Sequence, residues 1–460
     1  MTSNETIIVG LFFLVIVFSI FRTHFIILLN LLGKFEFGRT KTLQYIDQDI
    51  EPKLSNVDED IKPELPILSW ITLTGEKFAV RIFIFVILST LIYIAFTSFS
   101  RVFIQVGNTQ FSAGNDKFGS ASYTLALELN RDLKKSINQC SANITQGQYG
   151  LAISYCSEAI EIDSNYAYAY FLRGNAYLNL KQYEQAIADF TKDLELIPIA
   201  TRSYINRGGA YMQQGKYDLA IAEFTKSLDI NPKEKQAYLN RGLSYYWQGK
   251  SNLAIADCNK ALDFDKQYWN AYFCLGMTFG GQEEYDLAIE NFNRAIELAP
   301  TAQEVYLMRG SIYDRQGKKD LAINDFTKAI EIDQNYSSAY FSRGAIYAAQ
   351  KKYDLAISDF NKAIVIDPNC VDNYIWRGNT FADIKKFTEA IADYQRAITV
   401  NNNSKPNSYV YCVQGVTYTK MGDFESAIAS LEQGVKLDVT SENGWCKSAL
   451  ENAQQGIPTP

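Results

Sequence analysis

The chain has 460 residues, of which 47% are apolar, 14% aromatic and 21% charged, and its formal net charge is −7. So much buriable surface with so little charge excludes a disordered chain, and the acidic balance argues against the clustered Lys and Arg of a nucleic-acid footprint, so no nucleic-acid partner is expected. A single histidine, His24, removes the imidazoles that Ser/His or Cys/His nucleophile activation and most catalytic metal sites require.

In chain order, the first element is an apolar run from Ile7 to Phe21, interrupted by Arg22, Thr23 and His24 before Phe25 to Leu32 resumes. As a helix the first part rises about 22 Å, short of a hydrocarbon core of about 30 Å. The start MTSNET carries no Lys or Arg and no Ala-x-Ala follows, so a cleaved secretory signal is not expected. Residues 1–32 read as a first apolar span that tilts or breaks at Arg22, or as a helix finishing in the interface. Residues 33–79 read as an acidic, solvated loop with Asp47, Asp49, Glu51, Asp58, Glu59 and Asp60. From Ile82 to Ser100 every residue is uncharged, between Arg81 and Arg101; that run spans about 28 Å as a helix, so 80–101 reads as a transmembrane helix. Residues 102–132 read as a linker.

The loop side of these spans offers Arg22, Lys34, Arg39, Lys41, Lys77 and Arg81, and the far side Arg101 and Lys117. By the positive-inside rule the loop is expected in the cytoplasm and the large carboxyl-terminal region outside it. The arithmetic requires residues 7–32 to span.

Beyond residue 132 the chain is one unit copied. Glycines recur every thirty-four residues at Gly174, Gly208, Gly242, Gly276, Gly310, Gly344 and Gly378. A Tyr stands four before each and an aromatic three after, and an Ala follows twelve later, at Ala186, Ala220, Ala254, Ala288, Ala322, Ala356 and Ala390. Offsets of three and four predict helices, short turns such as QGKY predict hairpins, and Pro198, Pro232, Pro300 and Pro368 stop the units. Small residues on facing helices let the two axes approach while aromatics fill the space around them.

This pattern resembles the tetratricopeptide repeat (TPR) family, in an Arg-Gly variant. The resemblance implies an all-α fold: a right-handed α-solenoid of about nine helical hairpins plus a capping helix, preceded by one or two transmembrane helices. Residues 133–441 would hold nine repeats, the first degenerate around Cys140, Ala152, Cys156 and Ala159 and the ninth around Tyr411, Gly415, Tyr418, Ala427 and Leu431. Residues 442–460 would hold the capping helix and tail, with Trp445 and Ala449 in register, covering the last apolar face as solenoids require.

The residue before the glycine is Arg at Arg173, Arg207, Arg241, Arg309, Arg343 and Arg377, and in the same copies the residue fifteen after it is acidic: Asp189, Glu223, Asp257, Asp325, Asp359 and Asp393. Copies with Gln139, Leu275 or Gln414 carry Tyr155, Asn291 or Ser430 instead. Pairing between neighbouring units would fail at Arg241 with Asn291 and at Arg173 with Tyr155, so a structural Arg–carboxylate pair is expected inside each hairpin.

In the resembling family the first helices line a concave groove. A chaperone-tail carboxylate clamp there needs Lys three before the glycine, where this chain has Phe171, Ile205, Leu239, Phe273, Leu307, Phe341, Ile375 and Cys412; no such clamp is expected. Mid-groove, Tyr246 and Trp247 should face Phe273 and Met277, with Gly280 and Gly281 leaving room for an apolar side chain or helix of a protein or peptide partner. The structural alternative is that Trp247 packs across the unit boundary.

Seven cysteines, Cys140, Cys156, Cys258, Cys274, Cys370, Cys412 and Cys446, never approach as C-x-x-C. They read as buried small hydrophobes, and their odd number at long spacings argues against a disulfide framework. Phosphate-loop, nucleophile-elbow and dinucleotide signatures are absent from the sequence, so no enzyme activity, catalytic residue, metal or cofactor is expected. The sequons at Asn4, Asn143, Asn335 and Asn402 are patterns that arise by chance. Function is expected to be binding: a scaffold held at a lipid bilayer that assembles or recruits another protein, or else a permanent structural subunit of a larger membrane complex.

Overall fold

The computed structural model describes residues 77–112, 114, 116–400, 408–438 and 444–458. The first apolar run, the acidic loop as far as residue 76 and the insertion at 401–406 lie outside these residues. The chain divides into two units, Met1–Leu88 and Ser89–Pro460, and every contact given below is within the second. All regular structure among the described residues is helical.

The first described helix, α1 (Lys77–Ser112), is 36 residues long. Its segment Ile87–Ser112 is long and apolar enough to cross a membrane. The helix does not end with the uncharged run at Ser100, because Phe103, Ile104 and Val106 carry the apolar pattern past Arg101. Ser100, Phe103, Ile104 and Asn108 are buried, and the Ser100 hydroxyl donates to the carbonyl of Ala126 at 2.9 Å. Tyr93 donates to the carboxylate of Asp132 at 3.3 Å. The stretch 102–132, expected as a linker, is thus mostly the last turns of α1 and a second helix, α2 (Asp116–Leu129).

Eighteen helices then form nine antiparallel hairpins: α3 (Arg131–Thr145) with α4 (Tyr149–Ile162), α5 (Ala167–Asn179) with α6 (Tyr183–Leu196), α7 (Thr201–Gln213) with α8 (Tyr217–Ile230), α9 (Lys235–Trp247) with α10 (Ser251–Phe264), α11 (Trp269–Gly281) with α12 (Tyr285–Leu298), α13 (Gln303–Arg315) with α14 (Lys319–Ile332), α15 (Ser337–Ala349) with α16 (Tyr353–Ile366), α17 (Val371–Asp383) with α18 (Phe387–Val400), and α19 (Ser408–Met421) with α20 (Phe424–Leu437). A last helix, α21 (Gly444–Gln454), packs on α20. Each hairpin also packs on the next, so the units form a solenoid.

Close approach explains the periodic glycine. A Cβ on Gly310 would stand 2.7 Å from the Phe326 ring, and one on Gly174 2.8 Å from Phe190; a side chain there would force the helices apart. The aromatic sixteen residues on fills the space, and Ala186, Ala220, Ala254, Ala288, Ala322, Ala356 and Ala390 are fully buried. Between the two helices one residue adopts a left-handed backbone. It is Gly in five units, at Gly147, Gly215, Gly249, Gly317 and Gly422, and a side-chain-bearing residue in four: Lys181, Glu283, Lys351 and Lys385, with φ of 59° to 63°.

The cysteines depart from expectation. Six of the seven are paired: Cys140 with Cys156, Cys258 with Cys274, and Cys412 with Cys446, leaving Cys370 free. The sequence separations of 16, 16 and 34 look long on the chain and are short in the fold. Sixteen residues is the spacing across a helix pair, and thirty-four is one repeat.

Candidate functional site: the arginine ladder and the inner face

In six of the nine hairpins the first helix carries the arginine, on the same helix as residues expected to meet a partner. In each pair, Nε and Nη2 of the guanidinium donate to the carboxylate on the second helix of the same hairpin. The distances are 2.8 and 2.8 Å for Arg173–Asp189, 2.7 and 2.9 Å for Arg241–Asp257, and 2.8 and 2.7 Å for Arg309–Asp325. Arg343–Asp359 and Arg377–Asp393 are bidentate in the same way. Arg207 places both donors on one oxygen of Glu223, whose other oxygen accepts from Lys226 at 3.2 Å. All six acids are buried. The hydrogen bonds to Asp189, Asp257 and Asp359 hold the Arg173, Arg241 and Arg343 guanidinium groups above the usual arginine range.

A third bond was not visible in the sequence. Nη1 of the same arginines reaches back sixteen residues to the second helix of the preceding hairpin: Ser157 from Arg173 at 2.9 Å, Thr191 from Arg207 at 2.9 Å, Thr225 from Arg241 at 3.1 Å and Thr327 from Arg343 at 2.9 Å. Asn293 and Asn361 accept equivalently from Arg309 and Arg377. The Tyr four residues before the glycine lies under the cation, with 5.7 Å from Arg173 to the Tyr170 ring. Each arginine therefore joins three helices of two units.

Successive first helices touch one another along the array while successive second helices stand further apart, so the stack curves with the first helices inside. On the first helix α9, Trp247 is 59% exposed, with Tyr246 edge-on to it at 5.1 Å. Tyr246 approaches Gly281, where a Cβ would be 3.5 Å from its ring. Phe273 and Met277 are half-buried and pack on the core of their own unit, Phe273 against Phe292 at 5.9 Å. Gly280 leaves no cavity: it is buried, and a Cβ there would meet Ile312 of the following unit at 2.7 Å. The structure thus brings Tyr246, Trp247 and Gly281 together at the surface and draws Phe273, Met277 and Gly280 inward.

A second aromatic group lies nearer the carboxyl end. Trp376 and Trp445 are each 41% exposed, Trp376 edge-on to Phe341 at 5.9 Å and Trp445 edge-on to Tyr409 at 6.1 Å. Trp376, Phe341, Trp445 and Tyr409 stand two, three, four and six residues before the glycine register of their units.

Nine stacked hairpins, six of them tied by a part-buried arginine to a buried acid, define a helical repeat solenoid, the class of protein that offers an extended inner surface to its partners. A tetratricopeptide repeat pattern matches residues 167–198, 269–302, 304–336 and 337–370, and related repeat patterns of the same family match 208–249, 235–268, 371–404 and 408–438. The chain belongs to the tetratricopeptide repeat family, whose fold is typically a non-catalytic scaffold for protein interactions. No curated protein matches it. Among solved structures, a tetratricopeptide repeat protein from Parabacteroides merdae is 21% identical, covering 55% of this chain and 100% of that one with a TM-score of 0.48. MamA is 30% identical over 35% of this chain and 94% of its own, with a TM-score of 0.31. YrrB, a TPR protein with an unusual peptide-binding site, is 26% identical over 39% of this chain and 92% of its own, with a TM-score of 0.30.

Proposed function

We propose that this chain is a membrane-anchored scaffold whose inner face binds a segment of another protein, for assembly or recruitment. The observation that carries the reading is the exposure of Trp247 and Trp376 on first helices and of Trp445 on the capping helix α21. Large aromatics left open to water on a rigid concave surface are the residues that dominate protein–protein contacts once desolvated. The bilayer is the second partner, reached through α1 and the apolar run before it, and the Lys and Arg count supports an array outside the cytoplasm. Where a carboxylate clamp would need Lys, Ile205, Leu239, Ile375 and Cys412 are buried, which supports a partner read by apolar side chains and not by its terminal carboxylate.

The test is purification of the full chain in mild detergent, with Trp247→Ala and Trp376→Ala variants beside it. A partner recovered stoichiometrically with the parent should be lost or reduced at least tenfold in the variants, which should keep the parent's helical content. Equal recovery from all three would overturn the groove. Extraction of membranes at alkaline pH tests the anchor separately: the chain should stay with the lipid.

A further inference from the structure

The first helices that lack the arginine are the ones that carry a disulfide. On α3 the arginine position is Gln139 and the next residue is Cys140; on α11 it is Leu275, preceded by Cys274; on α19 it is Gln414, two residues after Cys412. None of the six arginine-bearing first helices takes part in one of these bonds. The geometry follows the same substitution. Each arginine ties its helix to a residue sixteen later on its own hairpin and to one sixteen earlier on the preceding unit. Cys140–Cys156 spans the first of these spacings, displaced by one residue, and joins α3 to α4. Cys258–Cys274 spans the second and joins α11 to α10 of the unit before it. Cys412–Cys446 joins the last hairpin to the capping helix α21. All six sulfur-bearing residues are fully buried. Cys156 and Cys258 stand where other units place Phe190, Phe224 or Phe292, and Cys140 stands where they place the glycine.

We infer that Cys140–Cys156 and Cys258–Cys274 are structural replacements for the missing arginine ties, that Cys412–Cys446 fastens the capping helix to the last hairpin, and that the repeat array matures in an oxidising compartment. Buried covalent links at both ends and in the middle of a solenoid suit a protein held away from cytosolic thiols, where such bonds persist. The Lys and Arg distribution around the apolar segments points to the same side by an independent physical rule. Formation of each bond consumes one oxidised protein dithiol carrier. One cysteine thiolate attacks the carrier disulfide, giving a mixed disulfide and one carrier thiolate; the second cysteine thiolate attacks the protein-side sulfur of that mixed disulfide and expels the other carrier thiolate, and the two protons lost by the cysteines end on the carrier, which departs as its dithiol.

Two experiments test this on the full chain. First, thiols are trapped by acid in whole cells and the denatured protein is labelled with a maleimide mass tag, with and without prior reduction. The expected count is one tag, on Cys370, before reduction and seven after it; labelling of any of the other six cysteines before reduction overturns the bond to which it belongs, and seven tags overturn the inference. Second, Cys258→Ala with Cys274→Ala should lower the unfolding temperature in detergent. Adding Leu275→Arg and Asn291→Asp, with Asn259 already in the acceptor position, should recover at least half of that loss. No recovery in a folded variant refutes the replacement; if that variant fails to fold, the thiol count still decides. Failure of the membrane extraction above would leave both results standing, so the anchor and the oxidised array stand or fall separately.

Discussion

Asp257 offers the sharpest perturbation of the arginine ladder. Its carboxylate is buried and accepts two bonds from Arg241, at 2.7 and 2.9 Å, and the arginine side chain is only 18% exposed. In Asp257→Ala the guanidinium keeps its bond to Thr225 and its contact with the Tyr238 ring but loses its counter-charge in a largely desolvated place. Removing one member of a buried pair costs about 3–5 kcal/mol; with the residual exposure of Arg241 we expect about 2–4 kcal/mol. Replacing both, Arg241→Leu with Asp257→Asn, reproduces what the fifth unit already has at Leu275 and Asn291, and should cost about 1 kcal/mol or less because no charge is stranded. The coupling, read by urea unfolding of the four chains of the double-mutant cycle, should therefore be at least about 2 kcal/mol, since Arg241→Leu alone also strands a buried charge. A single-variant cost below about 0.5 kcal/mol with no measurable coupling would refute the view that these arginines are buried structural ties.

Three further outcomes follow from single residues. Burial pushes the Asp193 carboxyl up to about 7, against the bond it accepts from Ser203. The folded chain then holds a proton that the unfolded chain releases near pH 4, so stability contributed by this group is full below about pH 4 and is lost as pH rises through about 7. Asp193→Ala, the residue that Ala261, Ala295 and Ala329 place at the same position, should flatten that slope, and an unchanged slope in thermal melts across this range would refute the assignment. Lys351 holds a φ of 59° where five units have Gly, so Lys351→Gly should stabilise by about 1 kcal/mol in the same unfolding assay, and a loss would refute strain there. Gly310→Ala should destabilise by about 1–3 kcal/mol, since its Cβ would fall 2.7 Å from Phe326; a neutral result would mean the helices separate at little cost.

Much of this architecture can be read from the chain because a solenoid repeats its physics. Glycine at a fixed period marks close approach, and the co-occurrence of Arg207 with Glu223 and of Leu275 with Asn291 separates within-hairpin from between-hairpin pairing. What escapes the sequence is what depends on the neighbouring unit. The acceptor Thr191 is unremarkable by itself, and Asn259 holds the same place without an arginine to meet it. Gly280 reads as open space until Ile312 arrives from the next hairpin. Cysteines sixteen residues apart look unrelated when judged by metal-knuckle spacings, although the arginine–acid pairs already show that sixteen residues bring two side chains together. Residues beyond Arg101 read as a linker because a charge ended the apolar run, whereas Phe103 and Ile104 continue it and are buried.

The most direct measurement of the scaffold reading places a photo-crosslinking phenylalanine analogue at Trp247 on α9 and, as a control, at Leu355, an exposed residue on the second helix α16. Irradiation of the full chain in its own membrane should join Trp247-substituted protein to one discrete partner band and leave the Leu355 position unlinked. Equal labelling at both positions, or none at Trp247 beside labelling at Leu355, would contradict an inner face that holds the partner.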